Sequence, residues 1–421
     1  LAIQKQVGIV LSSLVVLMLF RIGLIVHSRH AGLAAALLYA LSPVPLPFMS
    51  TGSVEPLFVF LLMAWAWGMA EGVAGQRRWG FVLAGVAVGL ASLTRATLLY
   101  YLPLVMLMAL VMRRQQPAAR SAWNGLLLTH AIGIGMIAPF LLRNLLSFGL
   151  PAISTGAGVA FYNGHHALTW GFDPGYFGVA FDFGILGREG ATHLDLGTDR
   201  ALLGAGQRVL ASYDFLFAAK LYAIKLLSFL FVGNLEWVAP VAELRSWRVV
   251  LICLSVITLS RLRREPALLL IAGSVLFQVA AHIPVLYSHR YSVVALDAPL
   301  ALLAGIGAVT VLQHGSSRAR IFVTAVVLAA VAFGVVVANT AQVLQVNVDG
   351  TAHITVMDRD RAGLRLSAGP GAMVIGPGRV RTTAGAAEID VDLTNEATEV
   401  GRTYLLALEA SGSTGKGTGW L

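Results

Sequence analysis

The chain has 421 residues, of which 57% are hydrophobic and only 12% are charged. Because a soluble domain carries about 25% charged residues, this composition excludes an ordinary soluble enzyme, a disordered chain and a secreted disulfide scaffold. A polytopic α-helical membrane protein remains. The single cysteine, Cys253, has no partner for an intrachain disulfide.

The charges divide the chain into two parts. Residues 1–340 carry a formal net charge of +11, whereas residues 341–421 carry −2. The basic excess could indicate nucleic acid, but the arginines cluster in short loops between apolar runs, as the positive-inside rule predicts. We therefore expect membrane lipids as partners, and no nucleic acid. The two predicted domains are a transmembrane domain over 1–340 and a small extracytoplasmic domain over 341–421.

The apolar runs predict about ten transmembrane helices, since a span needs roughly 20 mostly apolar residues. In chain order the runs cover 3–26, 31–49, 55–74, 79–94, 96–112, 121–141, 244–260, 266–284, 293–312 and 320–340. The protein is therefore predicted to be a multi-pass protein of the plasma (inner) membrane.

The short loops between these runs fall into two sets that differ in arginine content. One set holds 11 arginines and consists of 27–30, 75–79, 113–120, 261–265 and 313–320. The loops between them hold two, Arg95 and Arg290. The arginine-rich set is predicted to be cytoplasmic, and Arg95 and Arg290 are predicted to lie outside.

The run at 218–232 is apolar but contains Lys220 and Lys225. If this run crossed the membrane, the basic loop at 261–265 would fall on the outer side. An interfacial helix keeps every later loop on its predicted side. Residues 142–243 then form one large external loop.

The tail over 341–421 has the sequence character of β-strands. Its residues alternate with a period of two at 353–356 and 388–393, and Gly-Pro pairs separate such stretches. We predict a small β-rich extracytoplasmic domain that is itself truncated at Leu421. Its role stays open between recognising a glycan acceptor, packing on the external loop, and neither.

Charged groups at the outer ends of the spans are informative, because burying a charge in a membrane costs a few kcal/mol. Glu55 opens a span directly before Pro56, near the positive end of the helix dipole. It either caps this helix or lines an external cavity. Arg95 at a tight turn, and Arg143 with Asn144 at the end of a span, either bind an anion or reach lipid headgroups.

Two further external segments carry polar and aromatic side chains. A glycine-rich stretch ends in Asn163, His165 and His166, but it does not follow a strand-then-helix unit, so a dinucleotide site is not predicted. Arg290 and Tyr291 open a late span, and a guanidinium group suits phosphate recognition. The histidines have no Asp or Cys partner at metal-ligand spacing. We therefore predict no metal and no other cofactor.

Several of these segments, taken in order, resemble the bacterial GT-C membrane glycosyltransferases. More narrowly, they resemble the family that includes the protein O-mannosyltransferases and the lipid A aminoarabinose transferase. The similar stretches are 31–43 with 55–57, 89–95, 138–149 with 154–164, 213–229 and 289–299. Together they extend over the membrane part of the chain.

The resemblance implies an enzyme that moves a hexose or pentose from a polyprenyl-phosphate carrier to a lipid, protein or glycan acceptor at the outer face. The usual outcome is inversion at the anomeric carbon. The resemblance implies that the phosphate is bound by Arg290 first, then by Arg143, Arg95, Tyr291, Lys220 and Lys225. It implies that the sugar or acceptor cavity is lined by Glu55, Asn144, Asn163, His165 and His166.

The chain departs from the family at its start. In the family, a first span and a long external loop with an acidic general base precede the run at 3–26. The catalytic base is therefore expected upstream of Leu1, and no residue of the chain is assigned to that role. Glu55 is at most an accessory group. This segment alone is expected to be N-terminally truncated and inactive.

Two other classes of protein stay open at this point. A transporter or flippase of lipid-linked sugars would carry interrupted helices and charges near the middle of the membrane. A non-catalytic membrane component of surface-glycan assembly would use its external tail to bind partners. The external charges and the loop over 142–243 favour the enzyme.

Overall fold

The computed structural model describes most of the membrane part of the chain and the strands of the tail. The described residues are 2–42, 54–115, 120–154, 156–165, Gly171, 196–231, 241–262, 265–314, single positions between 316 and 332, and strand segments between 351 and 420. The span predicted at 320–340 lies largely outside these residues.

The described part of the membrane region is built from α-helices. They are α1 (Ala2–Val26), α2 (Arg29–Ala40), α3 (Glu55–Met69), α4 (Arg78–Thr94), α5 (Tyr101–Gln115), α6 (Arg120–Phe148), α7 (Ala157–His165), α8 (Leu196–Ser212), α9 (Phe215–Phe231), α10 (Val241–Leu262), α11 (Pro266–His282) and α12 (His289–His314). A π-helical turn, Ala70–Ala74, extends α3, and a 3₁₀ turn, Ala96–Tyr100, leads into α5.

Four helical stretches of the described residues are long and apolar enough to cross a membrane: Ile3–Val26, Glu55–Ala74, Arg120–Phe148 and His289–Gln313. Shorter apolar helices cover Arg78–Thr94, Ala96–Val111, Trp247–Thr258 and Pro266–His282. The prediction of an α-helical, multi-pass membrane protein is confirmed. The count of about ten spans stays a prediction.

The last long helix, α12, lies at the centre of the bundle. It packs extensively against α2 and α10, and it also contacts α11 and α3. Its apolar side chains belong to two buried clusters, one shared with α1 to α6 and α11, and the other with α9, α10 and α11. Helix α12 therefore packs against helices from distant parts of the chain.

Loops that the arginine count assigned to one side meet at one end of the bundle. Directly after α1, Nε2 of His27 lies 3.4 Å from Oγ1 of Thr310, near the C-terminal end of α12. In the π-helical turn, Glu71 is paired with Arg21 of α1 and with Arg77, each at 3.1 Å. The loops at 27–30 and 75–79 and the C-terminal end of α12 therefore share one end. That this end is cytoplasmic stays a prediction from the arginine counts.

Glu71 is the buried centre of this end. Its side chain is only 2% exposed and accepts hydrogen bonds from Arg21, Arg77 and Nε1 of Trp67. A buried carboxylate requires such partners, because an unpaired charge would lose its hydration without compensation. Glu71 thus joins α1 to the turn between α3 and α4.

Replacing Glu71 with glutamine is expected to lower the free energy of unfolding by about 1–2 kcal/mol. The amide keeps the shape but cannot hold two guanidinium groups, and both arginines are half-exposed, which limits the loss. Thermal unfolding of the purified protein in detergent measures the effect. Glu265→Gln is the matched control, because Glu265 precedes α11 without a side-chain capping bond. Equal shifts in the two variants would contradict the role of Glu71.

The tail forms short antiparallel strands. They are β1 (Thr351–His353), β2 (Arg365–Ala368), β3 (Ala372–Gly376), β4 (Arg379–Thr382), β5 (Ile389–Asp392), β6 (Ala407–Gly412) and β7 (Gly415–Trp420). β4 lies between β1 and β3, β2 pairs with β5, and β6 pairs with β7 as a hairpin. That these strands form a separate extracytoplasmic domain stays a prediction.

Candidate functional site

A buried ion pair lies where α3 begins and α4 ends, at the end of the bundle opposite Glu71. Glu55 starts α3 ahead of Pro56, and its side chain is almost fully buried. One of its carboxylate oxygens lies 3.8 Å from Nη2 of Arg95, which directly follows α4. The two residues, predicted separately as external site residues, therefore form one group.

The ring of Tyr291, in the first turn of α12, contacts two guanidinium groups. Cζ of Arg95 lies 4.4 Å from the centroid of the Tyr291 ring, and Cζ of Arg290 lies 5.1 Å from it. Such distances are typical of cation–π contacts. Nη2 of Arg290 also donates a hydrogen bond to the Tyr291 hydroxyl at 3.4 Å. We call Glu55, Arg95, Arg290 and Tyr291 the arginine cluster.

The arginine cluster carries more positive than negative charge. Its two guanidinium groups are close enough for their charges to act on each other, and Glu55 is the one carboxylate among its four members. The side chain of Arg290 is exposed, whereas Arg95 is mostly buried. The arrangement can bind an anion at Arg290 while Arg95 is held from behind by Glu55.

Aromatic rings continue from the arginine cluster into the bundle. The His282 ring lies 5.6 Å from Tyr291 and stacks on Phe229 at 5.0 Å. Phe229 in turn meets Tyr287 edge to face at 6.5 Å. This row of rings connects the first turn of α12 with α9 and with the segment between α11 and α12.

A second polar group surrounds His165 at the end of α7. Nδ1 of His165 lies 2.8 Å from the carbonyl oxygen of Phe161, and Nε2 lies 2.7 Å from the hydroxyl of Tyr222. Burial lowers the pKa of His165, partly opposed by the bond to Phe161 and reinforced by the charge of Lys225. The neutral ring then donates from Nδ1 and accepts from Tyr222 at Nε2. Tyr213 donates to the His165 carbonyl at 2.6 Å.

Lys225 of α9 lies beside this histidine and is buried at 1% exposure. Its Nζ donates to the carbonyl oxygens of Gly164 at 2.7 Å and Val285 at 3.2 Å. Burial lowers the pKa of Lys225 to about 7. We call His165, Tyr213, Tyr222 and Lys225, together with the buried Asn163 two residues before His165, the histidine cluster.

The segment between α11 and α12 connects the two clusters. The amide of Leu286 donates to the carbonyl of Ala160 at 2.8 Å, and that of Tyr287 donates to Gly171 at 2.7 Å. Gly171 has a φ of +73°, which a side chain would strain. The same segment presents Val285 to Lys225 and continues into Arg290 and Tyr291. One short stretch thus fixes both clusters.

The predicted site residues divide into three sets. Glu55, Arg95, Arg290 and Tyr291 meet in the arginine cluster, and Asn163, His165 and Lys225 lie in the histidine cluster. The remaining ones are Arg143 and Lys220, which are exposed on α6 and α9, and Asn144, which donates to the carbonyl of Ala152. His166 lies outside the described residues.

Sequence reasoning did not single out several residues of this region. Tyr213, Tyr222 and Phe229 lie within the stretch 213–229 that resembles the family, but no pattern marked them individually. No sequence pattern predicted a contact for His282, and its position beside Tyr291 follows from the packing of α11 on α12. Lys225 is predicted to bind phosphate, and in the structure its ammonium group donates hydrogen bonds to two backbone carbonyls.

Replacing Lys225 with methionine is expected to change how stability depends on pH. The pKa of Lys225 falls from an ordinary 10.5 to about 7 in the fold, so the unfolded chain binds more protons between these values. Stability should therefore rise with pH across this window, by at most about 1.4 kcal/mol per pH unit. Thermal unfolding of the methionine variant should lack this rise, whereas Lys220→Met should retain it. Parallel curves for the parent and Lys225→Met would contradict the burial of the ammonium group.

Residues 6–142 of this helical membrane protein are similar in sequence to the membrane glycosyltransferases of the GT-C superfamily. These residues match the family model described as dolichyl-phosphate-mannose-protein mannosyltransferase. The matched segment includes Glu55 and Arg95 and ends before Arg143. The resemblance seen in the sequence is thereby confirmed over this segment.

One solved structure is similar in outline. It is the archaeal oligosaccharyltransferase AglB from Archaeoglobus fulgidus, in complex with an inhibitory peptide and a dolichol-phosphate. The identity is 15% and the TM-score 0.42, over 80% of this chain and 44% of AglB. The chain thus spans less than half the length of that protein. Among curated proteins, none matches the chain.

Proposed function

We propose that the protein is a glycosyltransferase that moves a sugar from a polyprenyl-phosphate carrier to an acceptor at the outer face of a bacterial plasma membrane. The observation that carries this proposal is the arginine cluster, in which two guanidinium groups contact one tyrosine ring and only Arg95 is paired with the carboxylate of Glu55. An anionic ligand would reduce the repulsion between the two cations.

The chemistry of the transfer needs such a cluster. When an acceptor hydroxyl attacks the anomeric carbon, the bond to the carrier breaks and negative charge develops on the departing phosphate. Preorganised cations stabilise that charge in a site with little water. The planar fork of Arg290 suits two phosphate oxygens, and Tyr291 holds this fork in place.

Glu55 is proposed as an accessory group and not as the general base. Its carboxylate is buried and paired with Arg95, so its charge serves to orient that arginine. The hydroxyl of the acceptor therefore gives its proton to another group. No described residue is assigned to this role.

The histidine cluster is proposed to form the wall of the sugar or acceptor cavity. Asn163 carries an amide group of the kind that recognises sugar hydroxyls, and His165, whose two ring nitrogens contact Phe161 and Tyr222, is proposed to hold this wall in place. Asn144 and His166 are further candidates. Arg143 and Lys220, exposed on α6 and α9, are proposed to contact phosphate groups at the membrane surface.

The proposed membrane arrangement follows the arginine counts. About ten spans place the loops at 27–30, 75–79 and 313–320 in the cytoplasm and the arginine cluster outside. Residues 142–243 then form an external loop with α9 at the interface. The strands beyond residue 350 form a small β-rich extracytoplasmic domain.

A transfer assay tests the proposed function. Membranes that contain the full-length protein are incubated with labelled polyprenyl-phosphate sugars, and the label is followed into lipid, protein and glycan fractions. The proposal expects transfer to one fraction in the parent and at least a tenfold lower rate in Arg290→Ala, about the loss of one charged hydrogen bond. Absence of transfer with all polyprenyl-phosphate sugars would overturn it.

A flippase of lipid-linked sugars is the second candidate. The observation in its favour is a buried ion pair inside the bundle, between Arg248 of α10 and Asp297 of α12, since transporters keep charges at such positions. A flippase would move a labelled lipid-linked sugar across the bilayer of proteoliposomes without breaking its glycosidic bond. Intact lipid-linked sugar on both leaflets, with no transfer product, would favour this candidate over the enzyme.

A further inference from the structure

Arg248 is the largest charged side chain that is fully buried in the described bundle, with an exposed fraction of 0%. Its Nη2 pairs with Oδ1 of Asp297. Its Nη1 lies 3.1 Å from Oγ of Ser292, 3.2 Å from the carbonyl oxygen of Leu230 and 3.4 Å from that of Phe229. One guanidinium group thus connects three helices.

The two carbonyls belong to the last turn of α9, which ends at Phe231. The final carbonyls of a helix have no amide partner within the helix, and a cation there also interacts favourably with the helix dipole. Ser292 donates a further hydrogen bond to the Phe229 carbonyl. Arg248 and Ser292 therefore act as an external C-terminal cap for α9, supplied by α10 and α12.

The ion pair is not explained by stability alone. Nε of Arg248 and Oδ2 of Asp297 have no hydrogen-bond partner in the described structure, so both charges are incompletely compensated. Replacing a buried ion pair by apolar residues of similar size is often neutral or stabilising. Because Arg248 also binds the carbonyls that end α9, the pair has a positioning role open to it besides any contribution to stability.

The contact between α10 and α12 does not depend on Arg248. Ser255 donates to the carbonyl of Leu300 at 3.2 Å, and Thr258 donates to that of Leu303 at 2.6 Å. Near them the helices approach so closely that a Cβ atom on Gly307 would overlap the Leu254 carbonyl. The element whose position depends on Arg248 is therefore α9.

The position of α9 matters because it carries side chains of both walls of the candidate site. Tyr222 and Lys225 hold His165 and Gly164 at the end of α7. The ring of Phe229, whose carbonyl Arg248 binds, stacks on His282 next to Tyr291. A shift of the end of α9 would move all of these groups together.

We propose that Arg248, balanced by Asp297, is a positioning residue that anchors the C-terminal end of α9 and thereby sets the distance between the histidine cluster and the arginine cluster. This inference rests on the proposed function for the meaning of the two clusters. The anchoring itself rests on the hydrogen bonds alone, and the two parts are tested separately.

The test compares the parent with Arg248→Met/Asp297→Asn, which removes both charges and leaves neither one buried alone. Spin labels at Leu227→Cys and Leu276→Cys, both exposed, in a Cys253→Ser background report the distance from α9 to α11. Ser255→Ala is the matched control, because it removes a polar contact between α10 and α12 only. Binding of polyprenyl monophosphate is measured on the unlabelled proteins.

The double variant is expected to broaden or shift the distance distribution and to bind polyprenyl monophosphate about tenfold more weakly, with unchanged helix content. Ser255→Ala and the parent should give the same narrow distribution, and Arg248→Lys should restore part of it. An unchanged distribution in the double variant overturns the anchoring. A changed distribution with parental affinity overturns its link to the site. Absence of binding in the parent contradicts the proposed function, while the distances still decide the anchoring.

Discussion

Replacing Arg290 with alanine is expected to weaken the binding of polyprenyl monophosphate by about 10- to 100-fold, the loss of one or two charged hydrogen bonds. The reason is that Arg290 is the exposed guanidinium group of the arginine cluster, held by Tyr291 at one end of α12. Arg95 is mostly buried, so it cannot contact a ligand at the surface in place of Arg290. Affinity is measured by titrating the purified protein in nanodiscs with fluorescent polyprenyl phosphate.

Two variants make this prediction specific. Arg290→Lys keeps the charge but loses the planar fork, so an intermediate affinity is expected. Arg78→Ala removes an exposed arginine at the opposite end of the bundle and should leave the affinity unchanged. If Arg290→Ala and Arg78→Ala weakened binding equally, the effect would be one of overall charge and the assignment of Arg290 would be wrong.

Replacing Arg95 with methionine is expected to destabilise the fold by about 3 kcal/mol, because it leaves the Glu55 carboxylate buried without its cation. Glu55 is 5% exposed, so water cannot fully compensate the loss. The expected loss of stability lies at the low end of the range for buried ion pairs, because the oxygen–nitrogen distance of 3.8 Å is long. Chemical unfolding in detergent measures the change.

The double variant Arg95→Met/Glu55→Gln separates folding from function. Removing both charges should recover most of the lost stability, because no buried charge remains. Binding of polyprenyl phosphate should be weaker than in the parent, because Arg95 no longer packs on the Tyr291 ring that also holds Arg290. A double variant that recovers both stability and affinity would show that Arg95 serves only to neutralise Glu55.

The sequence was sufficient to predict the helices and one end of the site. Apolar runs at 3–26 and 55–74 coincide with the candidate spans of α1 and of α3 with its π-helical turn. Charges at the ends of such runs, as at Glu55, Arg95 and Arg290, are visible because their neighbours in the sequence are apolar. Helix ends on one side of a bundle then lie near each other, as these three residues do.

Contacts that depend on packing could not be predicted in the same way. Lys225 binds the carbonyls of Gly164 and Val285, about 60 residues away along the chain in either direction. Because every residue has a backbone carbonyl, the sequence does not show which one a side chain will bind. Asp297 is a lone charge in an apolar run, and Arg248 is one of two arginines near the start of another run, 49 positions away. That they pair follows only from the close approach of α10 and α12.

The contact of two arginines with the single ring of Tyr291 has a consequence for the order of events in a catalytic cycle. A sugar-loaded carrier is a phosphodiester with one negative charge, whereas the spent carrier is a monoester with up to about two. A cluster with a surplus of positive charge holds the dianion more strongly. The discharged lipid is therefore expected to leave slowly and to compete with fresh donor, so that removal of the spent carrier from the membrane would govern the rate of turnover.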